Sequence, residues 1–159
     1  MNLFGLMETS GSAMQAERMR AEVVAANMAN AETTHTDSGG PYRRHHVVFA
    51  ANPGESTFAE AMSGIAGTSP LLPHSPSAAQ GPAGGVHIAG VMEDPAPPLR
   101  RYDPGHPDAG PDGYVAYPDI NPITEMVDLM GATRAYGLNG SAVQAEKGMI
   151  TAAIDIAKS

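Results

Sequence analysis

The chain has 159 residues, a formal charge of −8 from seventeen acidic and nine basic side chains, 5% aromatic residues, and neither cysteine nor tryptophan. That length suits a single domain whose thin core rests on Ala, Val, Met, Leu and Ile, while the negative charge disfavours nucleic acid or an anionic membrane as a partner. Without cysteine there is no disulfide framework, no thiolate zinc site and no cysteine nucleophile.

Proline sets the organisation. All fourteen prolines fall between Pro41 and Pro122, and all six histidines between His35 and His106. Because proline is the residue least compatible with a helix interior, two helix-permissive arms flank an insert rich in turns. The first arm carries Leu3, Met7, Met14, Ala21, Val24, Met28 and Ala31 at steps of three and four, with Ser10 and Glu17 on the same stripe. This is a narrow heptad seam. A helix over residues 3–30 would span roughly 40 Å. No cationic stretch precedes an apolar core, the first basic residue being Arg18, so no cleavable signal peptide is expected. Nor does any apolar run approach the roughly 18 residues that span a bilayer, so direct membrane insertion is not expected.

In the insert, Arg43 to Ala50 and Val86 to Val91 read as strands, and Leu99 to Tyr102 and Tyr114 to Tyr117 as shorter ones bounded by Pro and Gly. Together they suggest a small antiparallel β unit. Residues 52–84 are dominated by Gly, Ser, Ala and Pro and are expected to form a mobile loop, with a short helix-compatible stretch near Thr57 to Met62.

The second arm opens at Asn121-Pro122, where Asn caps free amides and Pro takes the first helical position. Ile123, Val127, Met130 and Arg134 form one apolar run with a single cation, and Leu138, Ala142, Ala145, Met149, Ala152 and Ile156 a second, joined by a stutter. Gly131, Gly137, Gly140 and Gly148 each cost this helix on the order of 1 kcal/mol relative to alanine. It therefore needs a close-packed neighbour, either the first arm in an antiparallel hairpin or another chain. The fold class expected is α+β, with long terminal helices forming a coiled-coil core around a small β insert.

No catalytic constellation emerges, and no cofactor is expected. The adjacent His45 and His46 point to opposite faces of a strand and cannot readily share an ion. Asp103, His106 and Asp108 lie in a Pro/Gly turn where solvated loop residues outnumber ligands. Neither a phosphate-binding nor a dinucleotide-binding glycine pattern is present.

The segment Asn27-Met-Ala-Asn30-Ala-Glu-Thr33-Thr34 resembles the signature of the bacterial flagellar rod, hook and hook-associated axial proteins. Asn121-Pro-Ile-Thr-Glu125-Met126-Val127-Asp-Leu-Met130, with Arg134-Ala-Tyr136 and Asn139, is similar to the C-terminal signature of the same family. Within the insert, Pro41-Tyr42-Arg43-Arg44, Gly85 to Pro95, Tyr102 to Pro107 and Gly113 to Pro118 resemble its proximal rod members. The glycines of the second arm and the composition of residues 52–84 depart from the family pattern. The resemblance implies a structural subunit of the basal-body rod, exported by the flagellar type III apparatus, that polymerises with itself and other rod proteins and meets inner-membrane ring and rod-base proteins.

It also implies three segments: an axial helix with its signature over 1–34, a β-rich insert over 35–120, and a second axial helix over 121–159. The subunit interface would run along Met14, Glu17, Ala21, Val24, Asn27, Met28 and Asn30, and along Val127, Met130, Arg134, Leu138, Ala142, Ala145, Met149, Ala152 and Ile156. Asn27 and Asn30 could fix helix register as a buried Asn does in a coiled coil, or Asn30 could simply cap a helix. Glu17 is the natural partner for Arg134. Two other classes remain compatible with the sequence: a periplasmic binding or enzymatic protein using the Asp103-His106-Asp108 turn, and a self-contained coiled-coil adaptor.

Overall fold

In the computed structural model, residues 3–52 and 84–158 are described. Helix α1 runs over Leu3–Ala29. Its Thr9 and Ser12 hydroxyls donate to the carbonyls of Gly5 and Thr9, both at 2.8 Å, so these polar side chains are satisfied within the helix. The helix stops where Asn30 turns its amide and its side-chain Nδ2 back to the Ala26 carbonyl, at 3.1 and 2.9 Å. Of the two readings of Asn30, the structure supports the cap.

Strand β1 spans His45–Ala51 and pairs with β2, Val86–Glu93. The ladder is bracketed by Asp94 N donating to Arg44 O at 2.7 Å and Asn52 N to Gly85 O at 2.8 Å, which makes the pair antiparallel. Strands β3, Leu99–Tyr102, and β4, Tyr114–Tyr117, form a second antiparallel pair with Leu99 opposite Tyr117 and Tyr102 opposite Tyr114. Among its described residues the insert thus holds two separate two-stranded sheets where the sequence suggested one β unit. Between β3 and β4 the chain turns at Gly113, whose φ of 76° lies in the left-handed region and whose Cα faces the Tyr102 ring so closely that a Cβ would sit 2.8 Å from it. Most of the expected mobile loop, and the stretch near Thr57 to Met62, lie outside the described residues.

Helix α2 occupies Pro122–Lys158. Asn121 caps it as its sequence position suggests: its Oδ1 accepts from Ile123 N at 3.0 Å, and its carbonyl from Glu125 N at 3.1 Å.

The chain divides into two compact units, and each helix contributes to both. One unit combines the start of α1, the end of β1, the start of β2 and α2 from Leu138 onward. Here Val86 N donates to Ser12 Oγ at 3.1 Å and His87 Nδ1 lies 2.6 Å from Asn52 Oδ1. The other unit combines α1 from Glu17, the start of β1, the rest of β2, the second sheet and α2 as far as Gly137. Its apolar core is Val24, Val115, Ile120 and Ala132, a small set consistent with the composition.

Candidate subunit interface

The polar centre of the second unit is built around two buried side chains, Asn27 and Glu125, each 1% exposed. Asn27 projects from the last turn of α1 and donates through Nδ2 to the His45 carbonyl at 2.9 Å and to Glu125 Oε2 at 3.2 Å. Its Oδ1 accepts from His45 N at 2.9 Å and from the Tyr42 hydroxyl at 3.1 Å. Glu125, in the first turn of α2, receives Arg44 through Nε at 2.7 Å and Nη2 at 2.6 Å, and the same guanidinium lies 3.6 Å from Asp128. One carboxamide and one carboxylate therefore tie both helices to the entry of β1. Burial pushes the Tyr42 hydroxyl above its ordinary value of 10.0, and the nearby Glu125 and Glu93 charges add to that effect. It accordingly stays protonated and able to donate.

Helix α2 sorts its side chains in a way the hydrophobic pattern did not foresee. The face turned inward carries Glu125, Ala132 and Glu146 as its buried positions. Ala132 lies nine residues after Ile123, two and a half turns at about 3.6 residues per turn. Over its first turns the apolar stripe is therefore on the opposite, outward side, and beyond the stutter it runs beside the inward face. Val127 is 57% exposed, Leu138 66% and Ile156 75%, and Ile123, Met126, Met130 and Met149 are exposed as well. Arg134, Ala145 and Ala152 share this exposure, and Ala142 is half-buried. On α1 the expected interface residues turn the other way: Val24 and Asn27 are buried inside the chain, while Met14, Glu17, Ala21, Met28 and Asn30 are half-buried.

The expected pairing of Glu17 with Arg134 is not formed within the chain. Arg20, three residues along α1, places its Nε 2.8 Å from Glu17 Oε2, in contact but misaligned for a hydrogen bond. The i, i+3 spacing sets Arg20 beside Glu17 on one side of α1. Arg20 also lies where a Cβ at Gly131 would be 3.6 Å away, so this glycine faces a flexible cation and no backbone.

His45, His46 and the acidic turn are engaged by the protein itself. His45 Nδ1 meets the Tyr42 hydroxyl at 2.8 Å while His46 Nε2 lies 3.2 Å from Asp94, so the two rings have different partners. Asp108 N donates to His106 Nδ1 at 3.1 Å, and Thr34 Oγ1 donates to Asp108 Oδ2 at 2.6 Å. Among the described residues no three His, Asp or Glu side chains converge as a metal site, and no helix is long and apolar enough to cross a membrane. A cleft of about 180 Å³ beside Pro41, Tyr42, Pro98 and Pro118 includes Arg44 and Asp94. Both are already committed, to Glu125 and to His46.

Two long terminal helices around a small β insert, one of them with its apolar stripe unburied, define an α+β structural subunit of the axial type. Comparison with known proteins places it further. Residues 7–34 match the family described as Flagella basal body rod protein, and residues 112–156 that described as Flagellar basal body rod FlgEFG protein C-terminal. The flagellar basal-body rod protein FlgC of Bacillus subtilis is 36% identical over 99% of this chain and 100% of its own length. FlgC of Borreliella burgdorferi is 32% identical over 98% of each chain, and that of Salmonella typhimurium 34% identical over 94% of each. The chain belongs to the FlgC family of flagellar basal-body rod proteins, structural subunits of the rod and not enzymes. Asn27 and Glu125, one from each matched segment, are hydrogen-bonded to each other.

Proposed function

We propose that the outward stripe of α2 is the surface through which this subunit packs against its neighbours in the rod, with copies of itself and other rod proteins as partners. The observation that carries the reading is the exposure of Ile123, Val127, Met130, Leu138, Met149 and Ile156 on a helix whose opposite side is already occupied. Fully burying such side chains is worth about 1.5–3 kcal/mol each, so the six offer roughly 10 kcal/mol. The freedom lost on association is of the same order, about 4–15 kcal/mol. One stripe alone therefore gives a weak contact, and a stable shaft needs several neighbours at once.

On this reading α1 and α2 pair as a coiled-coil core. The Asn27–Glu125 bond supports that pairing in one unit, and the approach of Met14 Sδ to within 3.9 Å of a Cβ position at Gly140 supports it in the other. The assembled rod spans the periplasm and carries torque. Its base meets inner-membrane ring and rod-base proteins, and the subunit reaches it through the flagellar type III export apparatus without a cleaved signal.

The experiment is a pair of single substitutions, Val127→Asp and Leu138→Asp, in a strain lacking its own copy. Both variants should fold, be exported and be missing from isolated basal bodies, with swimming lost. Normal incorporation of both would refute the interface.

A further inference from the structure

We propose that Met126 and Met130 form an oxidation-sensitive pair on the assembly face, through which a peroxide converts the free subunit into a form that no longer packs. The proposal rests on the interface reading above. With no cysteine in the chain, the thioethers of its ten methionines are the sulfur atoms open to a peroxide. Met126 and Met130 are four residues apart on α2 and 53% and 60% exposed, so they are neighbours on one side of the helix and both within reach of solvent. Ile123 and Val127 flank them on the outward stripe. Met7, Met14 and Met28 of α1 are half-buried by comparison, while Met19, Met92 and Met149 are exposed but have no second methionine within four residues.

The chemistry balances with hydrogen peroxide as oxidant. The thioether sulfur attacks one peroxide oxygen, the O–O bond breaks as the S–O bond forms, and the other oxygen leaves as water once protonated. Sulfur is oxidised by two electrons and the peroxide reduced by two. The product carries a strongly polar sulfoxide oxygen in place of an apolar surface. Burying that oxygen against a neighbour's apolar side chains without a donor is unfavourable. A subunit already in place hides both sulfurs from the oxidant, whereas a free one exposes them. A methionine sulfoxide reductase, supplying two electrons and releasing the oxygen as water, restores the packing surface.

The test has two arms. In the first, the purified full-length chain is exposed to dilute hydrogen peroxide and its peptides are weighed over time. Met126 and Met130 should gain an oxygen several-fold faster than Met14 and Met28, and equal rates would overturn the proposal. In the second, a strain lacking its own copy expresses Met126→Gln/Met130→Gln, a polar stand-in for the sulfoxide, or Met126→Leu/Met130→Leu, which keeps the surface apolar. The Gln variant should be exported but lost from basal bodies, and the Leu variant should be incorporated. Incorporation of the Gln variant at the normal level would overturn the proposal. Val127→Asp separates the two readings: if it is excluded from basal bodies while the Gln variant enters, the interface stands and the oxidation pair falls. If Val127→Asp enters too, the interface itself is wrong.

Discussion

At Asn27 a single carboxamide, itself buried, satisfies a backbone amide, a backbone carbonyl, a phenol and a carboxylate. Asn27→Ala would strand those groups, and the expected loss in chemical denaturation is about 3 kcal/mol, the upper end for buried unsatisfied groups. Asn30→Ala, which removes the cap and the bond from the Thr33 hydroxyl, should cost about 1 kcal/mol or less. Equal losses at the two positions would contradict the central place given to Asn27. Arg44→Met leaves the Glu125 carboxylate buried without its cation and should destabilise by about 3–5 kcal/mol. Tyr42 gives the cluster its pH dependence. Its pKa is raised in the folded chain, so its contribution is complete below the ordinary phenol value near 10 and is lost as pH climbs through the raised one. Ultraviolet titration should show a phenol that ionises above its ordinary value, and Tyr42→Phe should remove that step.

The helices and strands were largely legible in the sequence, and for local reasons. The absence of proline after Pro122 and the capping Asn121 set the start of α2, and Pro and Gly bounded β3 and β4 at the residues where the structure ends them. Which side of α2 turns inward was not legible. Its buried residues are Glu125, Ala132 and Glu146, small or charged, so hydrophobic periodicity pointed away from them. Nor did the stripes reveal that Glu17 would take Arg20, since a stripe records which residues share a face and not which neighbour is nearest. The glycines belong to this scale too. A Cβ at Gly137 would have no heavy atom within 4 Å, and one at Gly140 only Met14 Sδ at 3.9 Å. Gly137→Ala/Gly140→Ala should therefore raise helicity and stabilise the free subunit by up to about 1 kcal/mol per site. If a neighbouring subunit's backbone approaches there, the same variant will not swim, and that is the outcome expected. Raised helicity with normal swimming would show that these glycines are tolerated defects.

For the molecule as a whole, what the chain leaves exposed matters as much as what it buries. Among the described residues its own apolar core is small, and residues 151–158 at the end of α2 are all exposed. Deleting the last fifteen residues removes Ala145, Met149, Ala152 and Ile156 while sparing the Asn27–Glu125 cluster. The truncated protein should still be exported and should be absent from rods, as fractionation of periplasm and basal bodies would show. Because the chain has no cysteine, the central claim can be tested with one label on an otherwise unreactive protein. Val127→Cys and Leu138→Cys should react readily with a maleimide in the purified subunit and be protected in isolated basal bodies. Equal labelling in the two states would mean that the outward face of α2 stays in solvent after assembly, and would contradict the account.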